Sequence, residues 1–334
     1  MPTLDIFNDS AFHTTSLTSA VDLMPYKPSL IGSMGLFKVE GVRTTSVMLE
    51  NRNGRLSLVK AGVRGTLPTK QKNDKRVTRS LTCVHLPLLD EIKADDVQDI
   101  RAFGSETELE TVSQLVARKM QAMKDNIDVT KEYQMLGAIK GAVNDADGVT
   151  EIYDLFDEFN LTQQNTNIDT ASDDLKLKMF EVQRNIEDQL GAQTYTGIQV
   201  LCGADFFDNL VTMDEVKTAY ERYQNGEFLR DDQRAKGFEY PRGVYWKEYR
   251  GKVGDVNFVA ADKAHAFPLG VSDLFVNYNA PANFTETVNT IGKPFYVKQE
   301  RQKFDTGIDL FGQANPLMIC RQPGVLQLLT DTTS

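Results

Sequence analysis

The side chains best suited to chemistry in this 334-residue chain are three cysteines and three histidines, and their spacing argues against a shared site. Cys83, Cys202 and Cys320 lie far apart and form no Cys-x-x-Cys pair, so neither a disulfide framework nor a zinc centre is expected. Each is expected to be a small buried apolar residue, because a free thiol is inert unless its surroundings lower its pKa. His13, His85 and His265 are equally scattered. His85, within Val84-His85-Leu86-Pro87, suits packing or an edge strand better than catalysis.

Carboxylates are the other candidates. Asp154, Asp157 and Glu158 cluster, but among 47 acidic residues such groupings arise on solvated faces, and catalytic pairs need burial. Asn144-Asp145-Ala146-Asp147-Gly148 resembles part of a calcium loop. With Gly148 in sixth place, however, Val143 and Asp154 occupy the positions that need Asp and Glu, so an Asp-Gly turn between strands is expected. Gly62-Val63-Arg64-Gly65-Thr66 has the wrong spacing for a phosphate loop, and no dinucleotide, His-Glu-x-x-His or Gly-x-Ser-x-Gly motif occurs. Neither enzymatic activity nor a cofactor or metal is expected.

The strongest remaining signal is charge. Between Lys38 and Thr82 stand eleven basic residues, Lys38, Arg43, Arg52, Arg55, Lys60, Arg64, Lys70, Lys72, Lys75, Arg76 and Arg79. Against them are Glu40, Glu50 and Asp74, a net of +8 in a chain whose total is −10. Thr45, Val47 and Leu49 alternate with other residues, Arg52-Asn53-Gly54-Arg55 offers a turn, and Leu56 and Leu58 resume the alternation, which predicts a β-hairpin. An isolated two-stranded ribbon is marginal in water, so this arm needs a surface to lie on. Nucleic-acid binding through phosphates is one reading. The segment has no aromatic side chain for base stacking, and the acidic remainder would repel a polyanion. Docking on an acidic face of a second copy fits better. Candidate acceptors are Asp95 and Asp96, within the acidic run Asp90 to Asp99, and Glu106, Glu108 and Glu110.

The rest of the chain predicts α+β organisation. With 41% hydrophobic and 25% charged residues it is globular, its length favours two domains, and no apolar run reaches the roughly 20 residues of a membrane helix. The start, Met1-Pro2-Thr3-Leu4-Asp5-Ile6, lacks the pattern of a signal peptide. Residues 1 to about 35 suggest an extended arm, with Pro25 and Pro28 excluding a regular helix. Ser105-Glu106-Thr107-Glu108 forms a capping box, and Leu109, Val112, Val116, Met120, Met123 and Ile127 follow at helical spacing. After a phase slip near Tyr133, Leu136, Ile139 and Val143 continue it, predicting a spine about 50 Å long. A second helix is expected from Ser172 to Gly191 over Leu175, Met179, Val182, Ile186 and Leu190. A buried strand at Ile198 to Leu201, a helix from Asp205 broken near Met213, and a hairpin of Val244 to Tyr249 with Val256 to Ala260 complete the pattern.

Five C-terminal motifs occur in an order that resembles the lambda-type major capsid proteins, the phage capsid protein E family. They are Glu248-Tyr249-Arg250-Gly251, Ala266-Phe267-Pro268-Leu269-Gly270-Val271, Tyr278-Asn279-Ala280-Pro281-Ala282, Val288-Asn289-Thr290-Ile291-Gly292-Lys293-Pro294 and Gln313-Ala314-Asn315-Pro316-Leu317. The basic hairpin, Pro87 to Asp90, the long helix and the Asp-Ala-Asp-Gly turn are similar as well.

That resemblance implies a Hong Kong 97-like capsid fold: an N-terminal arm (1–37), an extended loop (38–80), a peripheral domain (81–190 with 305–330) and an axial domain (191–290). It implies a structural protein of a tailed phage that self-assembles into hexamers and pentamers of an icosahedral shell around double-stranded DNA. Implied partners are further copies of itself, a separate scaffold protein, a portal and a decoration protein, with no membrane. The implied location is the virion capsid, after assembly in the host cytoplasm. Some capsids of this fold crosslink a loop Lys to an Asn; Lys60, Lys70, Lys72 and Lys75 qualify by position only, and no crosslink is assigned.

Overall fold

The computed structural model describes residues 30–51, 77–97, 108–170, 172–217, 237–254 and 256–332, and every structural statement below concerns these. Two compact units emerge. One comprises Met1–Met48, Ser80–Tyr133 and Val276–Met318, the other Leu49–Arg79, Gln134–Phe275 and Ile319–Ser334.

In chain order the elements begin with α1 (Leu30–Ser33), β1 (Phe37–Gly41), β2 (Ser46–Asn51), β3 (Val77–Thr82), β4 (Leu86–Lys93) and α2 (Ala94–Val97). Next come the long helix α3 (Glu108–Lys140), β5 (Ala142–Asn144), β6 (Glu151–Asp154), α4 (Leu155–Phe159), β7 (Gln164–Ile168) and α5 (Leu175–Leu190). They continue with β8 (Gly197–Cys202), α6 (Ala204–Thr212), β9 (Phe238–Glu239), β10 (Val244–Glu248), β11 (Lys252–Val253) and β12 (Val256–Asn257). The last are β13 (Lys263–Leu269), β14 (Phe275–Asn279), β15 (Tyr296–Arg301), β16 (Gly307–Ala314), β17 (Pro316–Cys320) and β18 (Gln327–Asp331).

The first unit is built on the antiparallel sheet β15-β16-β4, with β16 in the centre. Strand alternation puts Ile92, Val297, Ile308 and Leu310 on one face, where they form a core with Val116, Met120, Met123 and Ile127 of α3. Each such side chain contributes roughly 1.5–3 kcal/mol by burial. Gly312 allows the helix to approach closely: a Cβ there would stand 2.8 Å from Met123 Cε. Asp90 shares this region and accepts a 3.0 Å hydrogen bond from Lys119 Nζ, which also donates to the Glu91 carbonyl. The opposite face carries Tyr296 and Phe311, packed with Ala282 and Phe284.

The second unit centres on the six-stranded sheet β7-β18-β13-β8-β10-β9. All of β8 is buried, as expected of a central strand covered on both faces. Phe206 of α6 stacks 6.3 Å from Trp246 of β10. The five apolar positions expected to face inward on α5, Leu175 to Leu190, are all buried. Asp174 rather than Ser172 caps that helix, its carboxylate accepting from the Leu177 amide, and Gly191 ends it with φ +65°.

Local pattern misplaced one helix end and one strand pairing. The long helix stops at Lys140 because Gly141 takes φ +97°; Val143 is fully buried, but on strand β5. The Val244 to Tyr249 segment does not pair with Val256 to Ala260. Instead β10 runs parallel to β8 and antiparallel to β9, while β12 closes a short hairpin with β11, because β10 buries Val244 and Trp246 in the large sheet. Among the described residues, strand β2 pairs with β3 at residues 77–82, both within the stretch expected to form the hairpin. Leu56, Leu58, the Asn53-Gly54 turn and the Ser105 capping box lie outside the described residues.

The Asp-Gly turn, in contrast, forms as expected, with β5 and β6 antiparallel on either side. Asp147 accepts from the Val149 and Thr150 amides and the Thr150 hydroxyl, bonds that lower its pKa.

Candidate intersubunit surface

Just after β1, where the basic segment begins, the first unit has a joint of close backbone contacts. The Val42 amide donates to the Asn279 carbonyl and the Gly292 amide donates to the Val42 carbonyl, both at 2.8 Å. Side chains cannot fit here: a Cβ on Gly41 would meet the Gly292 carbonyl at 2.4 Å, and one on Gly292 would meet that of Asn279 at 1.9 Å. Beyond the joint, the Thr45 carbonyl accepts from the Cys83 amide at 2.9 Å, bringing these two flanks of the basic segment together. Two motifs of the C-terminal series interlock beside it, the Ala280 amide donating to the Asn315 carbonyl and Asn315 Nδ2 to the Pro281 carbonyl. His85 Nδ1 lies 2.7 Å from Asn315 Oδ1. These motifs therefore act as structural joints.

Of the predicted contact residues, Arg43 is exposed just past the joint and Arg79 is half-buried on β3. Arg79 already has a partner in its own chain, Glu158 at 3.3 Å. Arg52, Arg55, Lys60, Arg64, Lys70, Lys72, Lys75 and Arg76 lie outside the described residues, as does Glu106. Glu108 and Glu110 belong to the first turn of α3, with side chains outside the description. Asp95 and Asp96 are exposed on α2, and Asp96 Oδ2 accepts from the Lys93 amide at 3.1 Å.

Polar residues buried along α3 were not singled out from the sequence. Glu132, only 1% exposed, accepts from the Ile31 and Gly32 amides at 2.7 and 3.0 Å and so holds the N-terminus of α1. Lys131 donates to the Pro294 carbonyl at 2.6 Å, with Asp128 3.9 Å away. Burial pulls the Lys131 ammonium down to about 8, against a smaller opposing pull from Asp128. The available signal was Asp128, Lys131 and Glu132 sitting between the apolar positions Ile127 and Leu136.

The described cysteines and Asp154 sit in structural settings. Cys202 and Cys320 are buried, and Cys83 is half-buried. Burial pushes the Cys83 and Cys320 thiols up to about 11 and 12, and raises that of Cys202 well above its ordinary value. Asp154 caps α4, accepting from the Phe156 and Asp157 amides. Among the described residues no group of three or more His, Cys, Asp or Glu could hold a metal.

The model of the family Phage major capsid protein E matches residues 13–330. The chain belongs to the phage major capsid protein E family. It is similar to the major capsid protein of Salmonella phage Felix O1, with 26% identity over 96% of each chain. It is similar also to the major capsid protein of Pseudomonas phage KPP10, with 30% identity over 85% of this chain and 87% of the other. Among solved structures it resembles the putative capsid protein of a prophage from E. coli CFT073, at TM-score 0.61, 14% identity, and coverage of 96% and 99%. It resembles the capsid of Myoviridae phage XM1 at TM-score 0.50 and 12% identity, covering 93% and 95%. The fold is thus the α+β, Hong Kong 97-like capsid fold. As a major capsid protein of a tailed phage, the chain is structural rather than enzymatic and acts in the virion capsid by self-association.

Proposed function

We propose that the chain assembles as hexamers and pentamers of an icosahedral shell, and that its basic loop, Arg43 to Arg79, is the clasp between neighbouring copies. One observation carries this reading: among the described residues β2 and β3 form a two-stranded sheet at the two ends of a segment with net charge +8, in a chain that is otherwise acidic. Such a ribbon gains stability by lying on another surface, and opposite charge on an adjacent copy provides orientation and partner choice. A contact between different patches on successive copies closes rings and continues into lattices. Many weak contacts then reinforce one another across a closed shell. Exposed Asp95 and Asp96 are the leading acceptors, with Glu106, Glu108 and Glu110 next.

On this reading the loop spans 38–80, the peripheral domain 81–190 with 305–330, the axial domain 191–290 and the N-terminal arm 1–37. Assembly takes place in the host cytoplasm with a separate scaffold, a portal and a decoration protein, and the shell encloses double-stranded DNA without sequence-specific contacts. Reversing Lys75 and Arg76 to Glu tests the clasp. Electron microscopy should show shell formation lost while circular dichroism shows a folded subunit; normal shells would overturn it. A gel-shift salt series on unassembled chain addresses the nucleic-acid alternative, which requires affinity that falls steeply with salt.

A further inference from the structure

The tip of the β15-β16 hairpin carries an aromatic side chain in an unusual setting. Phe304 is 96% exposed, and its backbone lies in the left-handed region at φ 67°, ψ 18°. A lone exposed apolar residue is ordinary. An aromatic residue with positive φ is not, because its Cβ crowds the backbone there and glycine or asparagine would be favoured.

The surrounding loop holds Phe304 in place. The Gln302 amide donates to the Gly307 carbonyl at 2.9 Å, closing the turn. Gln302 Nε2 donates to Asp309 Oδ1 at 2.6 Å and to Glu91 Oε2 at 3.2 Å, while Gln302 Oε1 accepts from the Thr306 hydroxyl at 3.1 Å. One side chain thus ties the turn to two strands. Gly307 pairs with Lys93, the last residue of β4, so α2 with its exposed Asp95 and Asp96 follows at this same end of the sheet. The sheet end therefore combines an aromatic knob, the exposed carboxylates Asp95 and Asp96, and the exposed cations Lys303, Arg301 and Lys93, the last bridged to Glu91 at 2.9 Å.

We propose that this sheet end is a contact surface for a second copy of the chain, with Phe304 buried on the neighbour and Lys303 of one copy set against Asp95 and Asp96 of the next. The proposal rests on the capsid role, which requires copies to meet, and it shares the acceptors Asp95 and Asp96 with the loop clasp, so Phe304 is the residue that distinguishes the two. Opposite charges on one small surface suit head-to-tail contact, in which each copy offers its cation to the carboxylates of the next. A preorganised aromatic anchor loses little freedom on docking, which is why such residues carry much of the energy of interfaces. Left-handed backbone retained at the tip fits a functional demand on that side chain.

Phe304→Gly separates the two roles, since glycine takes positive φ freely. The unassembled variant should unfold at the same temperature as wild type or higher, yet its shell yield, measured by sedimentation and electron microscopy, should fall by roughly tenfold or more. Phe304→Trp should retain assembly. Wild-type shell yield from Phe304→Gly would overturn the proposal, as would an unfolding temperature that falls together with assembly. Assembly lost in the Lys75→Glu, Arg76→Glu variant but kept in Phe304→Gly would overturn the tip contact and leave the loop clasp standing. The reverse pattern would support the tip contact alone.

Discussion

Arg79 Nη1 lies 3.3 Å from Glu158 Oε2 of the same chain, near the C-terminal end of the basic segment. The pair is roughly one-third exposed, so it contributes about 0.5 kcal/mol, screened further by salt. Glu158→Gln should lower the urea midpoint only slightly and leave assembly intact. Arg79→Glu should cost the subunit more, because it sets two carboxylates together. Reversal of Arg79 therefore confounds folding with docking, and assembly tests belong on Lys75 and Arg76.

His265 should produce acid sensitivity. Burial lowers its pKa from 6.5 to about 3, and Lys140 and Lys263 add repulsion. In the unfolded chain the imidazole takes up a proton as pH falls through 6.5, while the folded chain stays neutral until about 3. The contribution to stability is present above pH 6.5 and is lost progressively between 6.5 and about 3, with a limiting slope of about 1.4 kcal/mol per pH unit. Urea melts across that window should show a shallower acid decline for His265→Asn than for wild type. Parallel curves would refute the assignment.

Lys131 acts in the alkaline range. Its folded pKa of about 8 lies below the ordinary 10.5, so between these values the unfolded chain holds more protons and folding gains stability as pH rises. Relative to Lys131→Met, wild type should gain up to about 3 kcal/mol from pH 8 to 10.5. Asp128, whose own pKa is raised chiefly by burial, faces the same ammonium at 3.9 Å. Thermal melts of both proteins at several pH values provide the comparison.

Gly141 ends α3 against an aromatic ring. An added Cβ would lie 2.1 Å from Phe156 Cε2, on backbone with φ +97°. Gly141→Ala should destabilise the subunit by about 2 kcal/mol or more, read as a lower thermal midpoint. Gly191→Ala is the control: φ is also positive, but no atom stands within 4 Å of the added Cβ, so its loss should be smaller.

Much of the local architecture was legible in the sequence. The spacing of Val116, Met120, Met123 and Ile127 announced the buried face of α3, and Leu175 to Leu190 announced that of α5, because an amphipathic helix displays its core contacts at fixed intervals. Asp-Ala-Asp-Gly announced its turn, since Gly148 supplies the positive φ, +74°, that the turn requires. The C-terminal motifs pointed to the family, but their physical use at the Gly41 and Gly292 joint depends on backbone approaches that composition does not reveal.

The sequence by itself determined helix faces, turn chemistry, the charge of the basic segment and membership of a capsid family, because each is encoded in composition, short-range spacing or ordered motifs. Tertiary structure alone decided which strands meet. Leu86–Lys93 pairs with Gly307–Ala314 across more than two hundred residues, and β10 joins β8 rather than the strand that follows it. Alternation tells a strand which face to bury but not which neighbour to choose, because many partners satisfy the same period. The burial of Glu132, Lys131 and His265, and the exposure of Phe304, follow from those distant pairings and packings.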